Sequence, residues 1–524
     1  MKKTKIKIKG EKKILLTVFK LLAVIVLLVV QISFMLLIYS TANGLYKYAS
    51  FVFDILKLCM VLYILYNHTS LAYKISWILF ITFLPVVGVV AYFLWGNSKL
   101  RGKKEKKFRK IRTETTKLLN ETDSILKEIE EIDKYKYNQV RYMQNVTGYP
   151  LYKNEGLEYF ELGEKFFDSL KKDLLKAKKY ILMEFYILSS GKLWDEIFEI
   201  LKKKAKDGVN IKIIIDSLGC IKAMPKNIKN ILNEYGIEVE IFNPPSPIIS
   251  GYINYRDHRK IVVIDGIISY TGGVNIADEY VNAVERFGHW KDVGIKIKGE
   301  PSWSFALMFL RNLEESSSKE VDYEWYKKIT DEMLINTPKS NLKGYVLPFC
   351  DGPDNFKNPI ESMYIQTINY AKEYVYITTP YFIISEELLK ALLTSARSGV
   401  DIRVILPHIP DKKLVQIATR SYYDILLEAG VKVYEYEPGF IHSKTFVVDD
   451  EVCIVGTANL DFRSTHLNFE CLAWTYKTGV ELDVKKDFLN ILDYCIEIDK
   501  KQWKNRKFLT KIAEAIISAF SPML

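Results

Sequence analysis

Hydrophobic and polar positions are spread unevenly along the chain. Leu21 to Tyr39 is apolar apart from Gln31 and Ser33. As a helix this run extends about 28 Å, close to the thickness of a bilayer's hydrocarbon core. A second apolar run, Ile75 to Trp95, carries Trp77 and Tyr92 towards its two ends, as an aromatic belt requires. Pro85 and Gly88 lie inside it, which membrane helices tolerate. The stretch Phe51 to Tyr66 is also apolar but holds Asp54 and Lys57 at i, i+3. It reads equally as a third span or as an interfacial helix. From Arg101 to Asp133 the pattern turns highly charged with sparse Leu and Ile, predicting a juxtamembrane helical linker.

Beyond about residue 145 the periodicity alternates between strand and helix, and it does so twice. Ala177 to Tyr186 opens a strand in the first half, and Ala371 to Pro380 opens one in the second. Gly208 to Asp216 is matched by Gly399 to Pro407, and Gly236 to Phe242 by Gly430 to Tyr436. Strands alternating with helices predict α/β halves built on mostly parallel sheets, facing each other across a pseudo-two-fold axis. A ligand site at that interface is the default expectation. The expected organisation is 1–98, a membrane anchor with two transmembrane helices and a third left open; 99–144, the charged linker; and 145–335 and 336–524, the two halves. The second half ends in an amphipathic helix, where Phe508, Leu509, Ile512, Ile516 and Phe520 recur at helical spacing beside Lys507 and Lys511. Packing on the core and lying on lipid are both open for that helix.

Charge locates the membrane sides. The formal net charge is +11, with seven lysines between Met1 and Lys13 and nine Lys or Arg between Lys99 and Arg112. Both runs belong on the cytoplasmic side, which calls for an even number of crossings and a cytoplasmic catalytic domain at the cell membrane. The second run also suits anionic lipid head groups. Six scattered cysteines form no C-x-x-C pair, so neither a disulfide framework nor a zinc pattern is expected.

The chemistry sits at the same place in both halves. His258-Arg-Lys260 runs on to Asp265, and His442-Ser-Lys444 runs on to Asp449. Seventeen positions after each histidine stands an asparagine, Asn275 and Asn459. One such motif arises by chance; two in register with a repeat do not. His and Lys at i and i+2 share one face of a strand. Asp265 and Asp449 fall in turn chemistry at the strand end, which suits an orienting or structural role better than direct catalysis. Two imidazoles, two ammonium groups and two carboxamides around one pocket make a phosphoryl site, with lysines supplying the positive charge and no metal or cofactor needed.

These two motifs resemble the "HKD" motifs of the phospholipase D superfamily. The continuation Gly456-Thr-Ala-Asn-Leu-Asp-Phe-Arg-Ser464-Thr-His-Leu-Asn-Phe-Glu470 and the span ending Phe83-Leu-Pro-Val-Val-Gly88 are similar to bacterial cardiolipin synthases in particular. The resemblance implies a catalytic set of His258, Lys260, Asp265, His442, Lys444 and Asp449, in which one histidine forms a phosphatidyl-histidine. It implies phosphate-holding Asn275 and Asn459, and carboxylates Asp292 and Glu470 that hydrogen-bond the imidazoles. Thr457 and Ser464 are hydroxyls placed either to guide an incoming alcohol or to serve the local structure, and Glu184 is either a further carboxylate for the pocket or a solvated or paired one. The implied reaction passes a phosphatidyl group from one phosphatidylglycerol to another, giving cardiolipin and glycerol, on a membrane and without nucleic acid. Other phosphatidyltransferases, a lipid hydrolase and a membrane-tethered nuclease use the same motif, and the motif alone does not separate them.

Overall fold

The computed structural model describes residues 45–523 except His68, Asn97, Ser98, Arg101, Glu121, Ile221, Lys222, Lys226, 245–250, Ser318 and Lys339. The apolar run Leu21–Tyr39 and the N-terminal lysines lie outside the described residues. The chain divides into a smaller unit, up to Ser98 with Pro245–Asn254, and a larger one from Lys99 onward.

In the smaller unit the expected Ile75–Trp95 span is not one continuous helix. The helix Leu71–Phe83 ends at Leu84, and a second helix, Pro85–Trp95, starts with Pro at its first turn. The missing N–H of Pro85 and the restriction it places on Leu84 explain the break. The two arms fold back on each other. Trp77 meets Tyr92 edge-on at 5.2 Å, and the Tyr73 hydroxyl donates to the Trp95 carbonyl at 3.3 Å. Gly88 is required at the crossing, because a Cβ there would stand 2.7 Å from Ile81 Cα. Arms of 13 and 11 residues reach about 20 and 16 Å, too short for a bilayer. The ambiguous stretch belongs to the helix Leu45–Tyr66, with Lys57 and Asp54 ion-paired at 2.5 Å. No helix among the described residues is long and apolar enough to cross a membrane.

The larger unit holds both repeats. The first half contributes β1 (Leu157–Phe160), β2 (Tyr180–Phe185), β3 (Asn210–Asp216), β4 (Ile237–Phe242), β5 (Ile261–Ile264), β6 (Ile268–Gly272) and β7 (Gly294–Lys298). The second contributes β8 (Tyr345–Asp351), β9 (Tyr374–Thr378), β10 (Asp401–Pro407), β11 (Lys432–Tyr436), β12 (Thr445–Val448), β13 (Val452–Gly456) and β14 (Asn468–Tyr476). The sheets run β1-β7-β6-β5-β2-β3-β4 and β8-β14-β13-β12-β9-β10-β11, the same order twice. Along these two runs of strands, β2-β3-β4 and β9-β10-β11 are parallel. The remaining pairings are antiparallel, so the mostly parallel expectation is corrected to mixed sheets. The reason is local: Asp265-Gly266 and Asp449-Asp450 turn the chain directly into hairpins, with positive φ at all four, where a parallel pair would need a crossover.

Each half covers its sheet with amphipathic helices. Phe166 and Leu170 of Gly163–Leu174 and Ile197 and Leu201 of Lys192–Lys206 bury against Ile181, Met183 and Phe185 of β2. The helix Pro301–Ser317 is different: Trp303 and the run Phe305–Leu310 are all buried, and it packs on strands of both sheets. A helix apolar on every side belongs in an interior. Residues 99–144 form helices Lys103–Thr116, Asp123–Ile132 and Lys134–Thr147 within this unit, so the charged segment is fastened to it. Lys99 donates to the Asn355 carbonyl at 2.7 Å, Arg112 pairs with Asp354, and Gln139 donates to Thr367 at 2.7 Å.

Two consequences are measurable. With Cys59 replaced by Ser, cysteines in place of Trp77 and Tyr92 should be bridged by a short cross-linker; a straight helix would hold them about 22 Å apart and prevent it. Asp265 accepts the backbone N–H groups of Lys178, Lys179 and Tyr180 at 2.7–2.9 Å. Asp265→Ala strands all three donors and should cost about 3 kcal/mol, seen as a lowered thermal midpoint, with Asp265→Asn in between.

A crossed histidine and carboxylate site

Two short ladders between the halves build the site. Arg256–Asp257 pairs in parallel with Asn468–Phe469, and the His258 N–H donates to the Phe469 carbonyl at 2.9 Å. The next step along that register sets His258 opposite Glu470. Gly439–Ile441 pairs in parallel with His289–Lys291, and the His442 N–H donates to the Lys291 carbonyl at 2.7 Å. The next step there sets His442 opposite Asp292. The carboxylates expected to serve the histidines are therefore both present, but crossed. His258 Nδ1 lies 2.9 and 3.0 Å from the two oxygens of Glu470, and His442 Nδ1 lies 2.6 Å from Asp292 Oδ2.

All six charged or titratable groups are buried: His258, His442, Lys260, Lys444, Asp292 and Glu470. Lys260 Nζ donates to the His258 carbonyl at 2.6 Å, and Lys444 Nζ to the His442 carbonyl. Lys444 Nζ also stands 3.0 Å from His442 Nδ1. Burial pushes Lys260 down to about 8 and Lys444 to about 7, each carboxylate pulling back. Burial likewise raises Asp292 to about 6. Burial opposes ionisation of Glu470 too, but His258, Lys260 and the Thr457 hydroxyl outweigh it and hold that carboxyl below its usual range. His258 is lowered by burial with Glu470 resisting. His442 is lowered well below the ordinary imidazole value by burial and by Lys444, Lys260 and His258. Both rings are thus neutral near pH 7, and a carboxylate accepting at Nδ1 leaves Nε2 with its lone pair.

Around this centre the other expected residues take narrower parts. Thr457 donates to Glu470 Oε2 at 2.5 Å and accepts from the Cys471 N–H, so it braces a carboxylate and is not free for an alcohol. Ser464 accepts the Asn459 N–H at 3.1 Å within the loop. Asn275 accepts from the Ile187 N–H at 3.0 Å and donates to Tyr280 at 2.7 Å. Asn459 keeps Oδ1 buried without a protein partner. Asp265 and Asp449 are not brought to the histidines; Asp449 accepts the N–H groups of Lys372, Glu373 and Tyr374 as Asp265 does in its half. Glu184 lies in a separate buried cluster, 2.9 Å from Arg259 and 2.9 Å from Asn312.

Several site residues carried no motif. Tyr186 packs its ring on His258 at 5.1 Å, and Lys260 lies over the same ring at 5.7 Å. Tyr280 and Trp290 each stand 5.5 Å from the His442 ring. Asn468 donates to Glu470 Oε1 at 3.3 Å. Trp290 two before Asp292, Phe440 two before His442 and Asn468 two before Glu470 share strand faces with them, a signal available in the spacing.

The sequence matches a family profile described as a cardiolipin synthase, PLD-like domain, at residues 170–287 and 364–492, and a phospholipase D-nuclease N-terminal profile at 51–97. A cardiolipin synthase of Clostridium perfringens is 36% identical over 86% of this chain and 94% of its own length. One of Halalkalibacterium halodurans is 34% identical over 86% and 88%. Among solved structures, phosphatidylserine synthase of Haemophilus influenzae shares the fold, with a TM-score of 0.55 at 16% identity over 74% of this chain and 98% of that one. With a twice-repeated sheet, crossed histidine–carboxylate pairs and relatives matched nearly end to end, the chain belongs to the cardiolipin synthase family of the phospholipase D superfamily.

Proposed function

We propose that this protein transfers a phosphatidyl group from one phosphatidylglycerol to the hydroxyl of a second, giving cardiolipin and glycerol through a phosphatidyl-histidine. The observation that carries the reading is the pair of buried, neutral imidazoles, each held at Nδ1 by a carboxylate of the opposite half and each beside a lysine. His258 is the nucleophile. Its Glu470 is kept ionised by His258 itself, by Lys260 and by the Thr457 hydroxyl, and it also accepts from Asn468, which favours the ring's electron pair at Nε2. His442 is the acid and base. Lys444 and Lys260 are, after burial, the main causes of its low proton affinity. A bound phosphodiester anion offsets both ammonium charges, so substrate binding itself raises the proton affinity of His442.

Nε2 of His258 attacks phosphorus, and the P–O bond to glycerol breaks. His442 gives its proton to the leaving oxygen, and the same group then takes the proton of the incoming hydroxyl, whose oxygen bonds to phosphorus as the P–Nε2 bond to His258 breaks. Lys260 and Lys444 face the phosphate oxygens throughout. Asp265 and Asp449 act by fixing the hairpins that end the motif strands. The two halves at 145–335 and 336–524 are the functional domains, and the chain is attached to the cell membrane with its larger unit on the cytoplasmic side. The Lys99–Arg112 run supports that side, since it leads directly into this unit.

Two measurements test the reading. With phosphatidylglycerol labelled in an acyl chain and alkaline denaturation, His442→Ala should retain trapped label and His258→Ala none; the reverse exchanges the roles, and label in the double variant removes the covalent step. In mixed micelles kcat/KM should fall on the alkaline side with a midpoint between about 7 and 8, because Lys444 and Lys260 lose their charge as pH rises through those values. A profile flat from pH 6 to 9 would take the lysines out of phosphate binding.

A further inference from the structure

The C-terminal helix Phe508–Phe520 presents two opposite faces. Its inner face is locked. Glu514 is buried against Arg506 at 3.1 Å, and Ile517 packs on the cluster Ile383, Val415 and Ala418. Arg506 in turn lies 3.5 Å over the Trp503 ring and pairs with Asp424 at 3.1 Å. The outer face is apolar and uncovered. Phe508, Leu509, Ile512 and Ile516 are 75, 77, 39 and 57% exposed, and they fall within about 100° of the helical wheel. Leu414, on the neighbouring helix Lys413–Arg420, adds another large apolar side chain at 54%. So orderly a stripe, on a helix whose other side is pinned by a buried ion pair, is built to be covered.

Charge says by what. Lys500–Lys511 contains six Lys or Arg and no acidic residue. Of these Lys500, Lys501, Lys504, Lys507 and Lys511 are exposed. Apolar side chains flanked by lysines match the boundary of a bilayer bearing negative head groups, and they match poorly a second copy of a chain that is itself basic. Position adds a reason. The helix Lys413–Arg420 carries the C-terminal helix on Val415 and Ala418, while its Gln416 and Thr419 line a small cleft with Tyr381, Lys412 and Phe440. Phe440 lies 5.9 Å from the His442 ring. The helix Lys413–Arg420, the cleft and Phe440 thus link the C-terminal helix to the catalytic histidine.

We propose that the outer face of Phe508–Phe520, with Leu414 and the lysines of 500–511, seats on the surface of an anionic bilayer and holds the catalytic opening at the level of the lipid head groups. The identity of the lipid rests on the phosphatidyltransferase reading; the docking does not.

The test uses the full chain with Cys59, the exposed cysteine among the described residues, replaced by Ser. Leu509→Cys carries an environment-sensitive fluorophore, and the Cys59→Ser protein provides the background labelling. On vesicles of phosphatidylglycerol and phosphatidylcholine the emission should shift to the blue and be quenched by a spin label placed high on the lipid chains. Lys507→Glu with Lys511→Glu should reverse both effects. A probe that stays in water on those vesicles overturns the proposal, as does one equally buried without lipid, which would mean a protein partner. Separately, Phe508→Glu with Leu509→Glu should lower turnover of bilayer phosphatidylglycerol about tenfold while sparing a short-chain, dissolved phosphatidylglycerol. Equal loss on both substrates makes the face structural and overturns the proposal. If the unaltered protein makes no cardiolipin from either substrate yet the probe enters the lipid, the reaction assignment fails and the docking surface stands.

Discussion

Two parallel ladders of two and three residues, thrown from one half to the other, decide the chemistry of this protein. Each ends one residue before a histidine, so the register of the backbone, and no side-chain search, sets each imidazole against a carboxylate of the other half. A slip of one residue in either ladder would turn the histidine to the opposite face. The surrounding architecture resists such a slip. The helix Pro301–Ser317 is clasped between the two sheets, and Tyr152–Lys153 leaves the first half to extend the second half's sheet beside β8.

The price in stability of this centre is electrostatic: two lysines, two carboxylates and two imidazoles are withdrawn from water together. Such a group is tolerable only where every charge finds a counter-charge or a donor. The pairs are crossed but not identical. Glu470 reaches His258 with both oxygens and is itself held by Thr457 and Asn468, whereas Asp292 meets His442 through one oxygen and receives its own Val293 N–H at 2.8 Å. Gly273 stands where the second half has Thr457, and a Cβ there would fall 2.1 Å from Asp292 Oδ1. The shorter carboxylate sits so close to its own loop that no bracing hydroxyl fits. The two histidines, alike in sequence, are thereby made chemically different.

Much of this was legible in the chain. The repeat, the strand positions and the residues of the centre follow from periodicity and motif spacing, because strand faces impose period two and turns require Gly or Asp. The crossing was not legible, since sequence spacing measures distance along a chain and the pairing depends on an interface between its halves. The same limit applies to Thr457: a hydroxyl in a motif reads either way until its neighbours' groups are known. The hairpin at Leu84–Pro85 was missed for another reason. An apolar run with an internal proline is compatible with a kinked span and with a fold-back, and contacts between the arms, such as the close approach of Gly88 to Ile81, separate them.

The crossed pairing also governs how such proteins can be recombined. Joining the first half of one relative to the second half of another leaves every motif intact to the eye, yet each histidine then depends on a carboxylate from the other parent. The natural exchangeable unit is accordingly not the half, nor the motif, but a histidine strand together with the foreign strand it is zipped to: 256–260 with 468–470, and 289–292 with 439–444. A chimera that respects those two seams inherits a working register, and one that cuts across them inherits two good motifs without a common site.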